Sequence, residues 1–256
     1  MRLALAAAAW VLASSFPQGK LYRLEEPGSD VVALRAEGRL RAPAWAVRAV
    51  LLEGWRSDRI SPYLAEHRVL HAEGCEGGAR EISGCRAVWA YERYEPPVVG
   101  ARDYAFRMER AFDRLDEGGG FELRWEIDES RGAPPEGVTH MRRNTGAWTV
   151  RADGDATRFS YRISVDPGGG LPAWVVNMAN RSQVPSVIAA VEEEALKLAE
   201  ARAPRGGDGT ARPGGGAGGG TAGAPAPPGA PAPPAGDGAA AGSAPAATGE
   251  RRAAPP

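Results

Sequence analysis

TRFSYRISVDPGGGLPAWVVN, residues 157–177, holds two different periods within one stretch. In its first part Phe159, Tyr161, Ile163 and Val165 alternate with Arg158, Ser160, Arg162 and Ser164. That period of two marks a strand with one dry and one wet face. Asp166-Pro167 and three glycines then make a turn. Pro172 suits the first turn of a helix. Beyond it Val184, Val187, Ile188, Val191, Ala195 and Leu198 fall on one helical stripe, with Glu192, Glu193, Glu194, Lys197 and Glu200 on the polar face. Pro185 lies inside this region and predicts a kink or a restart.

Working upstream, the same strand pattern repeats. Residues 103–110 set Tyr104, Phe106 and Met108 against Asp103, Arg107 and Glu109, and residues 121–127 set Phe121, Leu123, Trp125 and Ile127 against Glu122, Arg124 and Glu126. Residues 138–150 are strand-like, with an interruption expected near Asn144-Thr145-Gly146. Asp153-Gly154-Asp155 signals a hairpin into the strand above. Residues 21–24 and 31–40 read as short strands around the turn Pro27-Gly28-Ser29-Asp30. Pro43 opens a helix carrying Trp45, Val47, Val50 and Leu51, which Gly54 ends. Pro62 marks a break before a strand around His67 to Ala72, and residues 86–94 are rich in aromatic and β-forming types. A helix, many antiparallel strands and one long helix predict an α+β domain, a curved sheet wrapped on an amphipathic helix.

Composition divides the 256 residues in two. From Ala203 to Pro256, 43 of 54 residues are Gly, Ala or Pro, so this tail has too little to bury and is expected to be disordered. About 200 residues remain, enough for one core. A net charge of −1 argues against nucleic acid as a partner. No run reaches the ~20 apolar residues that a membrane-spanning helix requires.

Residues 1–13 begin Met1-Arg2 and continue as an apolar run ending in small residues, which resembles a secretory signal. The alternative is a short first helix of the domain. The signal pattern favours an exported or periplasmic protein over a cytoplasmic one. Cys75 and Cys85 flank two turn signals, Gly77-Gly78 and Ser83-Gly84. They are placed to bridge in an oxidising compartment and to stay free thiols in a cytosol. No metal site is expected, because His67 and His71 lack further ligands at a zinc spacing.

A family resemblance arises from four motifs in order: Arg102-Asp103-Tyr104, Gly146-Ala147-Trp148, Thr157 within its strand, and the run from Asp166-Pro167-Gly168 to Pro172-Ala173-Trp174. With Trp10 and Tyr22 near the start, they resemble the START (StAR-related lipid-transfer) domain family, bacterial type, of the wider Bet v 1-like helix-grip superfamily. The resemblance spans residues 10–202 and implies a helix-grip fold, with a deep apolar cavity closed by the C-terminal helix and the neighbouring loop Glu129 to Gly137. It implies a ligand site of Arg102, Tyr104, Phe106, Met108, Trp125, Phe159, Tyr161, Ile163, Trp174, Val184, Ile188 and Val191. A domain that opens at Trp10 leaves too few residues for a complete signal: either the true start lies further upstream, or the apolar run doubles as the first element, or the protein stays inside.

The function expected is non-catalytic binding, with transfer, of a lipid or other apolar small molecule. The expected protein is a monomer touching membranes transiently. No nucleophile motif, phosphate loop or dinucleotide fingerprint is present, and no cofactor is expected. His67, His71 and His140 sit among polar neighbours and read as solvated or locally bonded. Arg102 and Asp103 point to opposite faces of a strand. Either one of them forms an ion pair or caps a loop, or Arg102 presents its charge to a lipid head group. The alternatives are a polyketide cyclase- or aromatase-like enzyme, which needs convergent acid–base groups inside, and a solid-core adaptor. Tyr104 and Tyr161 are the inward hydroxyls that alternation identifies.

Overall fold

The computed structural model describes residues 9–25, 30–53, 59–75, 84–96 and 100–203. Residues 1–8, 26–29, 54–58, 76–83, 97–99 and 204–256 lie outside them, and with them the start of the signal-like run, most of the turn expected at Pro27-Gly28-Ser29-Asp30, the helix end expected at Gly54, most of the turn signals between the cysteines and the tail. The elements are β1 (Val11–Phe16), β2 (Gly19–Leu24), β3 (Ala33–Leu40), α1 (Ala44–Glu53), β4 (Leu64–Glu73), β5 (Ala87–Tyr94), β6 (Arg102–Asp113), β7 (Gly120–Ile127), β8 (Thr139–His140), β9 (Arg143–Asp153), β10 (Ala156–Asp166) and α2 (Ala173–Arg202). The strands form one sheet in the order β1-β2-β3-β10-β9-β7-β6-β5-β4, antiparallel except that β8 lies parallel beside β6. Register shifts in β1, β4 and β6 bend it. This is the α+β, helix-grip-like architecture expected: a large antiparallel sheet with a long C-terminal helix.

The quoted stretch holds the centre. Along β10, Tyr161 pairs with Trp148 of β9 and with Ala36 of β3, and Phe159 with Val150 and Gly38. These apolar members face the helices, while Arg158 and Arg162 face outward. Pro43 accepts the amides of Ala46 and Val47 and so starts α1, whose Ala46 and Val47 are fully buried. The core lies between the sheet, α1 and the middle of α2, around Phe121, Val150, Ile188 and Ala195.

Three local expectations are corrected. Asn144-Thr145-Gly146 does not interrupt β9. A Cβ at Gly146 would lie 2.2 Å from the ring of Trp125 and 2.5 Å from Arg162 O, so that glycine serves close approach rather than a turn. The break falls at Met141-Arg142 instead. Pro185 does not end or restart α2, which runs unbroken for 30 residues; packing along the rest of the helix outweighs one missing amide. Finally, the end of the apolar run near the N-terminus is strand, not helix: β1 pairs with β2 and leaves Val11 and Leu12 exposed. Trp10 lies beneath the guanidinium of Arg35, 4.8 Å from its ring centre. Cys75 and Cys85 form a disulfide between the ends of β4 and β5.

Candidate functional site

Between the sheet and the roof helix α2 lies a cavity of about 370 Å³. Its walls follow from strand alternation. β6 contributes Arg102, Tyr104, Phe106 and Met108, β7 Leu123 and Trp125, β9 Asn144 and Trp148, and β10 Tyr161 and Ile163. α1 closes one end with Val50 and Leu51. From α2 come Val175, Val176, Val184, Val187 and Val191, with Asn180 and Gln183 among them. The apolar face therefore leaves space between the sheet and α2.

The walls are mostly aromatic and apolar, and the ionisable pair Glu92 and Arg102 stands at one end. There the carboxylate of Glu92, on β5 and 1% exposed, accepts hydrogen bonds from Tyr104 OH at 2.5 Å and Tyr94 OH at 3.0 Å. His67 Nδ1 lies 3.3 Å from its other oxygen. Burial, and then the negative charge of Glu92, hold the phenols of Tyr94 and Tyr104 protonated well above the usual tyrosine range. Burial alone raises Tyr161.

Arg102 is the cation of this end and is 7% exposed. Its Nη1 donates to Ala101 O at 2.9 Å, and its Nε has no partner among the described residues. No acidic side chain among the described residues pairs with it. Asp103 faces the other way, as alternation requires. It is fully buried behind the sheet, accepts from Tyr91 OH at 3.2 Å and meets His140 Nδ1 at 2.5 Å. His67 and His140 are thus bonded to buried carboxylates rather than merely solvated. Among the described residues no cluster of three or more His, Cys, Asp or Glu could hold a metal ion.

Nine of the twelve expected ligand residues line the cavity: Arg102, Tyr104, Phe106, Met108, Trp125, Tyr161, Ile163, Val184 and Val191. Three do not. Phe159 is in phase with Tyr161 but lies where the core is filled, against Trp148 with ring centres 5.9 Å apart. Ile188 is fully buried in the core rather than under the roof, because the helical stripe is wide enough to serve both. Trp174 is 68% exposed, since the first turn of α2 gives Val175 and Val176 to the cavity and turns its neighbour outward. The loop Glu129 to Gly137 contributes no lining residue either. Arg131 bonds Glu73 at 3.1 Å and Gly132 faces Leu70, which tie that loop to β4. Around the cavity stand instead Ser61, Tyr63, Pro96, Pro167 and Leu171. Sequence reasoning missed Glu92, Tyr94, Asn144 and Trp148. A signal for Glu92 existed, because Val88, Ala90, Glu92 and Tyr94 alternate and set a carboxylate among apolar neighbours.

No family model matches the sequence, and no curated protein does. Solved structures match well. A STAR-related lipid transfer protein from Xanthomonas axonopodis (fragment 25–204) is 23% identical with a TM-score of 0.60, the match covering 73% of this chain and 98% of that one. Human STARD10 is 17% identical with a TM-score of 0.61, covering 75% and 74%. Human StAR-related lipid transfer protein 5 is 11% identical with a TM-score of 0.60, covering 76% and 90%. These likenesses give the fold its class: the chain is built as a START-type helix-grip domain.

Proposed function

We propose that this protein binds an apolar small molecule with a single polar end and carries it without chemical change. The observation that carries this reading is a mostly apolar cavity with, at one end, a buried Arg102 that no carboxylate of the described residues pairs with directly. Burying an unpaired guanidinium is costly, and a carboxylate or phosphate oxygen from a ligand offsets that cost. A volume of about 370 Å³ falls in the lower part of the range for small-molecule sites. It suits one acyl chain or a compact ring system better than a two-chain phospholipid. The class of the fold supports the same reading by analogy.

The outer face of α2 supports contact with a membrane during exchange. Trp174 and Met178 are exposed there, one turn apart, and Arg181 continues the face. Neither Arg181 nor the exposed Arg142 forms an ion pair among the described residues, which favours an anionic lipid surface. A cyclase-like enzyme is the second reading, favoured by the Tyr104–Glu92 pair. However, both oxygens of Glu92 are already engaged, leaving it poorly placed to accept a substrate proton.

Native mass spectrometry of the purified full chain, followed by extraction and identification of the bound molecule, tests the proposal. One apolar ligand per chain is expected, and Arg102→Gln should weaken a fluorescent fatty acid by about tenfold or more, the scale of a charged hydrogen bond. Failure to retain or bind any fatty acid or sterol would overturn it. Recovery of a ligand that has been cyclised or dehydrated would favour the enzyme.

A further inference from the structure

The outward face of the sheet carries its charge unevenly. On β6 and β7 opposite signs stand directly across from each other: Arg107 is in register with Glu126, and Glu109 with Arg124. Across β3, β10 and β9 that arrangement is reversed three times. Arg162 stands opposite Arg35, and Arg158 opposite both Arg39 and Arg151. Residues directly opposite in an antiparallel pair share a face, with Cβ atoms about 5 Å apart, and like charges placed so oppose folding.

Little on the face offsets this. Glu37 takes Arg35 at 3.2 Å, with Lys20 also in register beside it. Asp153 serves both Arg39 at 2.8 Å and Arg158 at 3.3 Å. Arg151 and Arg162 form no ion pair among the described residues. Of the five arginines all but Arg35 are exposed. Alternating signs, as on β6 and β7, would stabilise the same strands. The repeated like-charged pairs therefore point to a partner outside the chain.

Aromatic rings set two of these cations in place. The Arg35 guanidinium lies 4.8 Å from the ring centre of Trp10 and 5.2 Å from that of Tyr22, and Arg162 lies 5.9 Å from the same Trp10 ring. Such stacking holds a guanidinium by its face and leaves its edge for hydrogen bonds. Tyr22 is in register with Leu12 of β1, so one row across the outward face runs Leu12, Tyr22, Arg35, Arg162. Leu12 is 53% exposed. A row that passes from an exposed leucine through aromatics to arginines matches the passage from acyl chains to phosphates in a lipid leaflet. Nucleic acid offers the phosphates but no apolar layer to receive Leu12.

We propose that this face, β3, β10 and β9 with its rim at β1, docks the protein on an anionic lipid surface. The arginines take lipid phosphates, and Leu12 enters the headgroup layer beside Trp10. The sheet stands between this face and α2, so a docked protein turns its roof helix away from the surface that holds it. The docking goes beyond the ligand reading and needs nothing in the cavity.

Flotation of the full chain with vesicles tests it. Vesicles of phosphatidylcholine and phosphatidylglycerol, mixed about 2:1, should carry the protein upward at low salt, and phosphatidylcholine alone should not. Binding should weaken at least about tenfold between about 0.05 and 0.5 M salt. The double variant Arg151→Glu and Arg162→Glu turns the like-charged pairs with Arg158 and Arg35 into opposite ones. It should lower vesicle affinity at least about tenfold, since each basic residue at a lipid surface is worth about fivefold. Its urea midpoint should nonetheless equal or exceed that of the unaltered chain. Leu12→Ser should weaken binding severalfold, and Trp174→Ser should cost less than the double variant. Affinity that survives the double variant, or that Trp174→Ser lowers more, would overturn the docking. Arginine-dependent binding to a DNA oligonucleotide, with none to the mixed vesicles, would overturn it in favour of nucleic acid. If no fatty acid binds yet the vesicles are held, the ligand reading fails and the docking stands. A bound fatty acid with no vesicle binding gives the reverse.

Discussion

Tyr94 and Tyr104 share the carboxylate of Glu92, and Tyr161 is buried nearby in the same cavity wall. All three phenols are raised above the ordinary value of 10.0, by burial first and, for the first two, by the charge of Glu92 next. A raised folded value leaves stability complete below the unfolded value. As pH passes about 10 the unfolded chain sheds protons that the folded chain keeps, so stability falls steadily until the buried phenols ionise. The urea midpoint should therefore drop above about pH 10, with these tyrosines silent in phenolate absorbance until unfolding. Tyr104→Phe should cost about 1–3 kcal/mol at neutral pH, from the bond lost to Glu92, and flatten the alkaline fall. Titration of all three near pH 10 in the folded protein would mean that water reaches the polar end. At this scale the sequence was partly legible. Alternation set Tyr104, Phe106 and Met108 on one face of β6, whereas the cavity that this face lines, and Arg102 beside it, came through the family resemblance. Glu92 escaped because β5 is covered on both faces and shows no wet–dry alternation, leaving a lone carboxylate in phase with Val88, Ala90 and Tyr94 as the one signal. Phe159 was in phase but at the wrong depth, and phase alone carries no depth.

Among the elements, α2 shows what one amphipathic stripe conceals. Val184, Val187 and Val191 face the cavity, whereas Ile188, between them in sequence, fills the core. The two neighbours should respond oppositely to the same enlargement. Val187→Trp should fill cavity space and abolish uptake of a fluorescent fatty acid at nearly native stability. Ile188→Trp should overpack the core, cost about 1–3 kcal/mol in a urea melt, and leave the cavity open. Equal loss of binding in both would place Ile188 under the roof after all. The period of the helix was legible, but the division of its stripe was not, because that depends on where a distant element stops. Gly146 taught the same lesson in β9. A glycine admitted for the sake of the Trp125 ring has the same letter as one that makes a turn.

For the whole molecule, the pairing of β3 with β10 joins residues more than a hundred positions apart and sets the sheet order. Local periods identified these strands, and the turn at Asp153-Gly154-Asp155 made β9 and β10 neighbours, but nothing local announced the pairing of β3 with β10. The Gly/Ala/Pro composition beyond Arg202 gives a further expectation. A chain ending there should melt within a degree or two of the full one and bind the same ligand, and a clearly lower midpoint would assign the tail a place on the domain. The cavity wall has one more consequence, an optical one. Trp125 and Trp148 flank Tyr161, with ring centres 6.0 and 4.4 Å away, whereas Trp10, Trp45, Trp89 and Trp174 lie off the cavity. Any occupant comes to rest against two indoles, so its arrival should change the intrinsic emission of the unlabelled protein. Trp125→Phe should remove much of that change, and occupancy then becomes readable in real time with no dye attached.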